Sequence, residues 1–477
     1  MPQYHLSTST SNSNSDKNLF IGLLILILWL PMPLGSNRPW AWSIMEVWIL
    51  GLSLLWLWGF YRGRFKLTPV FYRAKYILIL WALWLIYISF QCIPLPYAYV
   101  QWMSPEAAHL FATPNNLITL SIEPYATSVS LLKSICYVLL FTLTLLLVNR
   151  RKRLRWLAYT LVFSGLFQAI YGSAMTLSNL EYGFFHQKIY YLGVATGTFI
   201  NRNHLAGYLE MCLAVGIGLL ISQLGDFSYT TWRQRVRSLL AWLVSDKMQL
   251  RLCLVIMVIA LVLTHSRMGN TAFFASLMIA GLIGLMLSRH APRALVILFI
   301  SIIIIDILIV GAWFGVEKVV QRLENTHFVT ESRDEVNTYN LTYWQDYLWT
   351  GSGLGSFYAA FPRYQGFDTK GFYNHAHNDY MEFAVETGII GLLLLASHVM
   401  LSLGIALLAL YRRREPLCRG MAFSAIMGII AILIHSSVDF NLQIPANAAT
   451  FMLILALAWI ACFLPSQRHY SSVQDKK

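Results

Sequence analysis

The sequence predicts an all-α polytopic membrane protein with about twelve transmembrane helices, and two observations support this class. First, the chain of 477 residues is 57% hydrophobic and only 12% charged, whereas a soluble globular protein typically has about 25% charged residues. Second, a helix that spans a bilayer needs roughly 20 predominantly apolar residues, and the chain contains twelve apolar runs near this length, of which 252–264 is the shortest. The runs are residues 19–36, 40–60, 76–93, 129–148, 156–176, 204–222, 252–264, 271–288, 294–314, 381–410, 420–438 and 446–464.

The distribution of basic residues predicts the orientation of these spans. When the segments between spans are assigned alternately to two sides, one side holds 25 of the 35 Lys and Arg residues. Loops rich in Lys and Arg stay in the cytoplasm, so we expect both termini to be cytoplasmic. The formal net charge of +13 therefore indicates membrane orientation, and membrane lipids rather than nucleic acid are the expected partners.

The order of the runs predicts five regions. Residues 1–18, rich in Ser, Thr and Asn, are expected to form a disordered cytoplasmic tail, and 19–314 contain the first nine spans. A large loop on the outer side covers 315–380, spans ten to twelve cover 381–464, and 465–477 form a second cytoplasmic tail. The six cysteines include no CxxC pair, so neither a disulfide framework nor a zinc site is expected.

Polar and charged residues that are unusual for a membrane protein gather on the predicted outer side. The motifs "GTFINRNHLAGYLEM", "LTHSRMGN" and "HSSVDFNLQIPANA" lie at span ends, and Arg333 and Arg363 lie in the large loop. An Arg at membrane depth is a functional candidate with an anionic partner, although an interfacial Arg can also be a lipid anchor. The residues singled out in the three motifs are Asn201, Arg202, Asn203, His204, His265, Ser266, Arg267, His435, Asp439 and Asn441.

The stretch "FYNHAHNDYMEFAVETGIIG" at 372–391 allows three interpretations. His375 and His377 resemble a zinc-binding pair, but no Cys or HExxH motif accompanies them. Asp379 and Glu382 fit a capping box at a helix start. His377, just before that start, is positioned to act as a general base, and Glu386, one turn after Glu382, could orient a partner or an Arg.

Several of these motifs together resemble the O-antigen ligase and O-antigen polymerase superfamily. Its signature is a His followed by Asn, Ser or Gln, nine residues and then GxxG, which His377, Asn378, Gly388 and Gly391 match. The segments "THSRMG", "WTGSGLGSF" and "GTFINRNHLAGY" are also similar to that family and occur in its order. The resemblance covers roughly residues 195–450.

This resemblance implies a membrane glycosyltransferase of GT-C-like fold in the bacterial inner membrane, with a large periplasmic loop and a periplasmic active site. The donor would be a glycan on undecaprenyl diphosphate, and no cofactor or metal would be needed. The family's essential His and arginines match His377, Arg267 and Arg333, and a single displacement would invert the sugar. We add Arg202 from its charge and position. The residues expected to bind diphosphate or glycan are Arg202, Asn201, Asn203, His204, Asn378, Glu386 and Asp439.

The acceptor and the reaction class stay open at the level of sequence. A ligase acting on the lipid A core is favoured, because the large loop follows the ninth span and precedes only three more. A polymerase acting on a growing glycan and an oligosaccharyltransferase acting on protein Ser or Thr are the alternatives. A transporter is the alternative of another class, but charges within spans are few, chiefly Glu46 and Asp306, and the two halves show no symmetry.

Overall fold

The computed structural model describes residues 16–111, 116–184, 187–223, 246–287, 333–366 and 371–465, with the backbone alone at 246–247 and 333–337. These residues are almost entirely helical. A single pair of two-residue antiparallel strands, β1 (Leu95–Pro96) and β2 (Leu117–Ile118), is the only sheet among them. The predicted all-α class is confirmed.

Sixteen α-helices lie within the described ranges. They are α1 (Lys17–Trp29), α2 (Pro39–Tyr61), α3 (Pro69–Arg73), α4 (Lys75–Gln91), α5 (Tyr97–Met103), α6 (Pro105–Phe111), α7 (Pro124–Leu147), α8 (Arg151–Ser178), α9 (Arg202–Ser222), α10 (Asp246–Leu263), α11 (Arg267–Leu287), α12 (Arg333–Asp346), α13 (Phe357–Ala360), α14 (Asp379–Arg412), α15 (Pro416–His435) and α16 (Pro445–Phe463). Three short 3₁₀ helices cover Leu34–Ser36, Phe361–Arg363 and Asn441–Gln443.

Eight of these helices are long and apolar enough to cross a membrane, namely α2, α7, α8, α9, α11, α14, α15 and α16. Three shorter apolar helices, α1, α4 and the part of α10 from Met248, coincide with further predicted spans. The predicted span at 294–314 and most of the two tails lie outside the described residues, so the number of twelve spans stays a prediction. The polytopic membrane class is confirmed.

Small residues allow α9 to lie at the centre of the bundle. Nearly every residue of α9 is buried, and α9 packs against α8, α10, α11, α15 and α16. A Cβ atom added at Gly218 would overlap the backbone carbonyl of Gly420 on α15, and a Cβ atom added at Gly420 would overlap the carbonyl of Gly218. Close packing of small residues is the usual source of helix association in membranes, where lipid and side chains are equally apolar.

A second hydrophobic core lies outside the helix bundle, where α4 and α15 end and α7, α9, α14 and α16 begin. We call this end of the bundle the site end. The second core joins residues 95–122 to residues 339–381, with Tyr343, Phe357 and Phe361 fully buried in it. The described part of the large predicted loop therefore packs against the preceding long loop and holds the start of α14.

The glycine-rich segment 350–355 packs into an interruption of α14. Gly388 has φ 61° and ψ −170°, which breaks the helical hydrogen-bond pattern. Backbone bonds from outside the helix replace the missing ones: Ile389 N donates to Leu348 O at 2.8 Å, and Gly353 N donates to Glu386 O at 2.9 Å. This segment is thus a tight turn against a helix.

Replacing Gly388 with alanine is expected to lower the thermal unfolding midpoint of the purified protein in detergent. A left-handed conformation costs a non-glycine residue about 1 to 3 kcal/mol, and the new Cβ would also collide with the Trp349 carbonyl and lie 2.7 Å from Gly351 N. Gly404→Ala on the same helix is the matched control, because no atom lies within 4 Å of its added Cβ. Equal midpoints for the two variants would contradict this role of Gly388.

Candidate functional site

The start of α14 is built by Asn378. Its side-chain Oδ1 accepts hydrogen bonds from Tyr380 N at 3.0 Å and Met381 N at 3.2 Å, so Asn378 is the N-cap. The predicted capping box, which placed Asp379 at the cap, is wrong by one residue, because Asp379 is already the first helical residue. His377 precedes the cap with φ 52° and stays partly exposed. The turn therefore presents the His377 ring at the mouth of the helix.

Glu382 fixes the segment that leads into this turn. Its carboxylate is buried, bonds His375 Nδ1 at 2.7 Å through Oε1, and accepts from Ala376 N at 2.8 Å through Oε2. Both bonds reach back across the helix start to residues before the cap. Glu382 therefore stabilises the start of α14, and His375 is its hydrogen-bond partner.

The loop between α15 and α16, residues 436–444, is tied to the same helix start. The buried Asp379 carboxylate accepts from Ser436 Oγ at 2.7 Å and from Leu442 N at 3.1 Å. The Asp379 backbone N–H in turn lies 3.0 Å from Ser436 O. These bonds place the loop residues Asp439 and Phe440 beside the two histidines.

Phe440 brings three histidines together. The ring of His375 stacks on it at 4.4 Å between centroids, His204 meets it edge-on at 4.7 Å, and His377 meets it edge-on at 4.8 Å. His204 comes from α9, more than 170 residues earlier in the chain. Rotation of an imidazole packed against a phenyl ring is restricted, so Phe440 restrains the orientation of His377.

Asp439 joins this group to the start of α9. Its Oδ2 accepts from Asn203 Nδ2, its Oδ1 accepts from Phe440 N at 2.8 Å, and Oδ1 lies 3.8 Å from His204 Nε2. Burial by itself raises the pKa of Asp439, but attraction to His204 and His435 outweighs it and leaves the pKa below its usual value. The carboxylate is therefore charged at neutral pH.

Two amides complete the junction of α9, α16 and the loop. Asn201 caps α9 by accepting from Asn203 N at 2.9 Å. Asn447 Nδ2 donates to His204 O and to Asn441 Oδ1, both at 3.0 Å. The predicted residues Asn203 and His204 thus contact Asp439, and Asn201 caps the helix that carries them.

The predicted arginines occupy different positions. The Arg202 guanidinium lies over the Tyr191 ring at 5.7 Å, and its Nε is buried without a hydrogen-bond partner among the described residues. Arg267 is exposed at the first position of α11, and no described residue pairs with its guanidinium. Arg333 begins α12, but its side chain lies outside the described residues.

Glu386 is not part of the histidine group. It is 1% exposed, and its Oε1 accepts from Phe357 N at 3.0 Å in the second core. This position differs from the expected contact with substrate, because a carboxylate packed on all sides offers no surface to a ligand. Glu386 instead anchors the segment that follows the glycine-rich turn.

Comparison with known families gives a result that agrees with this geometry. The family model described as O-antigen ligase matches residues 252–396. This match supports the resemblance to the O-antigen ligase superfamily over that part of the chain. A comparison with curated proteins gives no match. The O-antigen ligase match contains His377, Arg267 and Arg333, whereas α9 and the 436–444 loop lie outside the matched range. His204 and Phe440 thus come from parts of the chain that the family model does not cover.

An apolar cavity of about 380 Å³ lies beside the candidate site. Asp379, Ser436 and Gln443 border it at the site end, and Trp81 and Leu455 border it deeper in the bundle. Trp81 is ten residues before the end of α4, and ten helical residues rise about 15 Å. The cavity therefore runs from the neighbourhood of His377 into the membrane-spanning part.

Sequence reasoning missed Phe440 and Glu210. Phe440 carries no signal in the sequence, because one aromatic residue in a short loop is unremarkable in a chain with 14% aromatic residues. Glu210 carries a signal that could have been used, since it is a lone carboxylate within an apolar span, and such residues are functional candidates. It is fully buried and bonded to His435.

Proposed function

We propose that this protein transfers a glycan from undecaprenyl diphosphate to an acceptor hydroxyl, with the lipid A core as the favoured acceptor. We place the reaction on the periplasmic face of the bacterial inner membrane, in line with the distribution of Lys and Arg. The family match supports an enzyme of O-antigen ligase or polymerase type. The observation that carries the proposal is the partly exposed His377, held by the Asn378 turn and by Phe440 at the mouth of α14.

His377 acts as the general base in this proposal. The acceptor O–H loses its proton to the His377 imidazole while its oxygen attacks the anomeric carbon of the glycan. The bond between that carbon and the diphosphate oxygen breaks, and the electron pair leaves with the diphosphate. One displacement inverts the anomeric configuration, and the imidazolium then releases its proton to water. General bases of this kind contribute about 10²- to 10⁴-fold to a rate.

Arginines stabilise the leaving diphosphate in this proposal. Negative charge grows on its oxygens as the bond breaks, and guanidinium groups bind such oxygens in bidentate fashion. Arg267 and Arg202 supply the charge, because neither forms an ion pair with a described residue, and Arg333 joins them from the start of α12. Asn203 and Asn378, which are partly exposed, supply hydrogen-bonding groups for the glycan, whereas Asn201, His204 and Asp439 are buried and hold these residues in place rather than touching the glycan as the sequence predicts. These cations need no metal to perform this role.

The apolar cavity supports the choice of a lipid-linked donor. At the site end the cavity borders Asp379, two residues from His377. Deeper in the bundle its wall is built mainly from apolar and aromatic side chains. A hydrocarbon chain can leave the lipid for such a wall at little cost, because lipid tails and apolar side chains are equally apolar. A donor with a polar head at the site end and the first isoprene units of its prenyl chain in the cavity fits this arrangement.

Reconstitution into liposomes tests the proposal. The protein is supplied with an undecaprenyl-diphosphate-linked glycan and, in separate reactions, lipid A core, a lipid-linked glycan polymer or a Ser/Thr peptide, and each acceptor is analysed for added glycan. We expect transfer to lipid A core and inversion at the anomeric carbon, and His377→Ala protein serves as the blank. Transfer to the polymer or the peptide would reassign the acceptor. No transfer to any acceptor, together with movement of free solute across the liposome, would favour a transporter.

A further inference from the structure

Glu210 and His435 form a hydrogen-bonded pair inside the bundle that the proposed reaction does not use. Glu210 Oε1 lies 2.8 Å from His435 Nδ1, and both side chains are fully buried. Their other polar atoms, Glu210 Oε2 and His435 Nε2, have no hydrogen-bond partner within the described ranges. The pair joins α9 to the last residue of α15.

Stability does not explain such a pair. Burying charged or strongly polar groups costs several kcal/mol each, and replacing a buried ion pair with apolar residues of similar volume is often neutral or stabilising. Ionisable residues within membrane spans are functional candidates for the same reason. A pair with two unsatisfied atoms is a costly way to join two helices that already pack through Gly218 and Gly420.

The position of the pair indicates what it does. Glu210 lies six residues after His204 on α9, and an added Cβ at Gly269 on α11 would lie 3.2 Å from Glu210 Oε1. Gly269 is two residues after Arg267. His435 directly precedes Ser436, which bonds Asp379 at the start of α14. The start of α11 with Arg267, the start of α9 with His204 and the 436–444 loop thus converge on this one pair.

We propose that Glu210 and His435 are positioning residues that hold the start of α11 and the 436–444 loop against α9, so that Arg267 and His377 face the same substrate. Neither residue touches substrate, since both are fully buried. This inference rests on the proposed glycan transfer, because it assigns the pair an effect on that reaction. A displacement of about 1 Å in a positioned group can cost about 10²-fold in rate.

The decisive variant is the apolar double replacement Glu210→Met/His435→Leu. We expect its thermal midpoint in detergent to be at or above that of the wild type, while the transfer rate per folded molecule falls about 10- to 100-fold. Glu210→Gln, whose amide oxygen still accepts from His435 Nδ1, is expected to keep most of the activity. A double replacement with both wild-type midpoint and wild-type transfer would overturn the proposal, as would a Glu210→Gln variant as inactive as the double one.

A matched control removes another buried interhelical bond. Trp459 Nε1 donates to Ser402 Oγ at 3.3 Å between α16 and α14, far from the site end, and Trp459→Phe/Ser402→Ala is expected to leave transfer unchanged. Combining the Glu210/His435 double replacement with Arg267→Lys shows whether the loss of transfer arises from displacement of Arg267 or from a general loss of structure. Groups that act through one another give less than additive losses, whereas fully additive losses would contradict an effect through Arg267.

Binding of undecaprenyl diphosphate alone separates this inference from the proposed function. Its Kd is measured for the wild type and the double replacement by intrinsic fluorescence, without any acceptor or transfer. We expect roughly 10-fold weaker binding in the double replacement, because Arg267 is displaced. A wild type that binds the lipid but transfers no glycan would refute the proposed function alone. Equal Kd values in the two proteins would refute the positioning of Arg267.

Discussion

Replacing His377 with alanine is expected to lower the rate of glycan transfer by about 10²- to 10⁴-fold, with little change in KM for the donor. The variant lacks the group that accepts the proton of the attacking hydroxyl, whereas the Asn378 cap, the Glu382 bonds and the second core that build the helix start are untouched. Initial rates in liposomes, at matched amounts of correctly inserted protein, measure the effect. The thermal midpoint is expected to change little, because His377 is partly exposed.

His109 provides the control for this experiment. It is an exposed histidine near the end of α6, within residues 95–122 that contribute to the second core, and His109→Ala is expected to transfer glycan at the wild-type rate. His375→Ala gives a second comparison, because it removes the partner of Glu382 and is expected to lower the midpoint more than His377→Ala does. Wild-type transfer by a correctly inserted His377→Ala protein would exclude His377 as the base.

Replacing Arg267 with alanine is expected to lower the transfer rate constant about 10²- to 10³-fold. Loss of one group that stabilises developing negative charge commonly has this effect. Arg267 is exposed at the first position of α11, where the helix N-terminus also attracts anions. Arg267→Lys is expected to recover part of the rate, since lysine supplies the charge without the bidentate fork. Single-turnover kinetics with the lipid-linked donor measure the chemical step.

Arg363→Ala is the matched control for Arg267. Arg363 is also exposed, but its guanidinium lies 3.1 Å from Glu106, and an exposed ion pair of this kind contributes at most about 1 kcal/mol. We expect Arg363→Ala to keep the wild-type rate. Equal rate losses in the two variants would indicate a general effect of surface charge, and no loss in Arg267→Ala would remove it from the diphosphate site.

The helices of this protein were predictable because a membrane span is a local property of composition. Eleven of the twelve predicted apolar runs coincide with described apolar helices, although capping shifts their ends. The run at 381–410, for example, begins at Asp379 because the Asn378 side chain bonds the first free N–H groups. The N-cap was misassigned because Asn378 and Asp379 are both good capping residues, and only the backbone of Asn378 is extended.

The candidate site was predictable residue by residue but not as an arrangement. His377, Arg202, Arg267 and Asp439 were all singled out as polar groups on a predicted outer side. Glu386 was grouped with them because it lies one turn after Glu382 on the same helix. The interruption at Gly388 and the glycine-rich turn bury it in the second core instead, where its carboxylate accepts from Phe357 N. Contacts of that kind depend on a segment about 30 residues away.

The sequence by itself determined that this chain is a polytopic membrane protein with an O-antigen ligase-type motif around His377, because apolar length and motif spacing are both properties of adjacent residues. Only the tertiary structure decided that His204, His377 and Asp439 meet around Phe440, and that Glu210 pairs with His435. These contacts join α9 to segments more than 170 residues later. One close approach of this kind is at Gly207 of α9, where an added Cβ would collide with the Asn441 side chain of the 436–444 loop, and such approaches are a property of packing between segments.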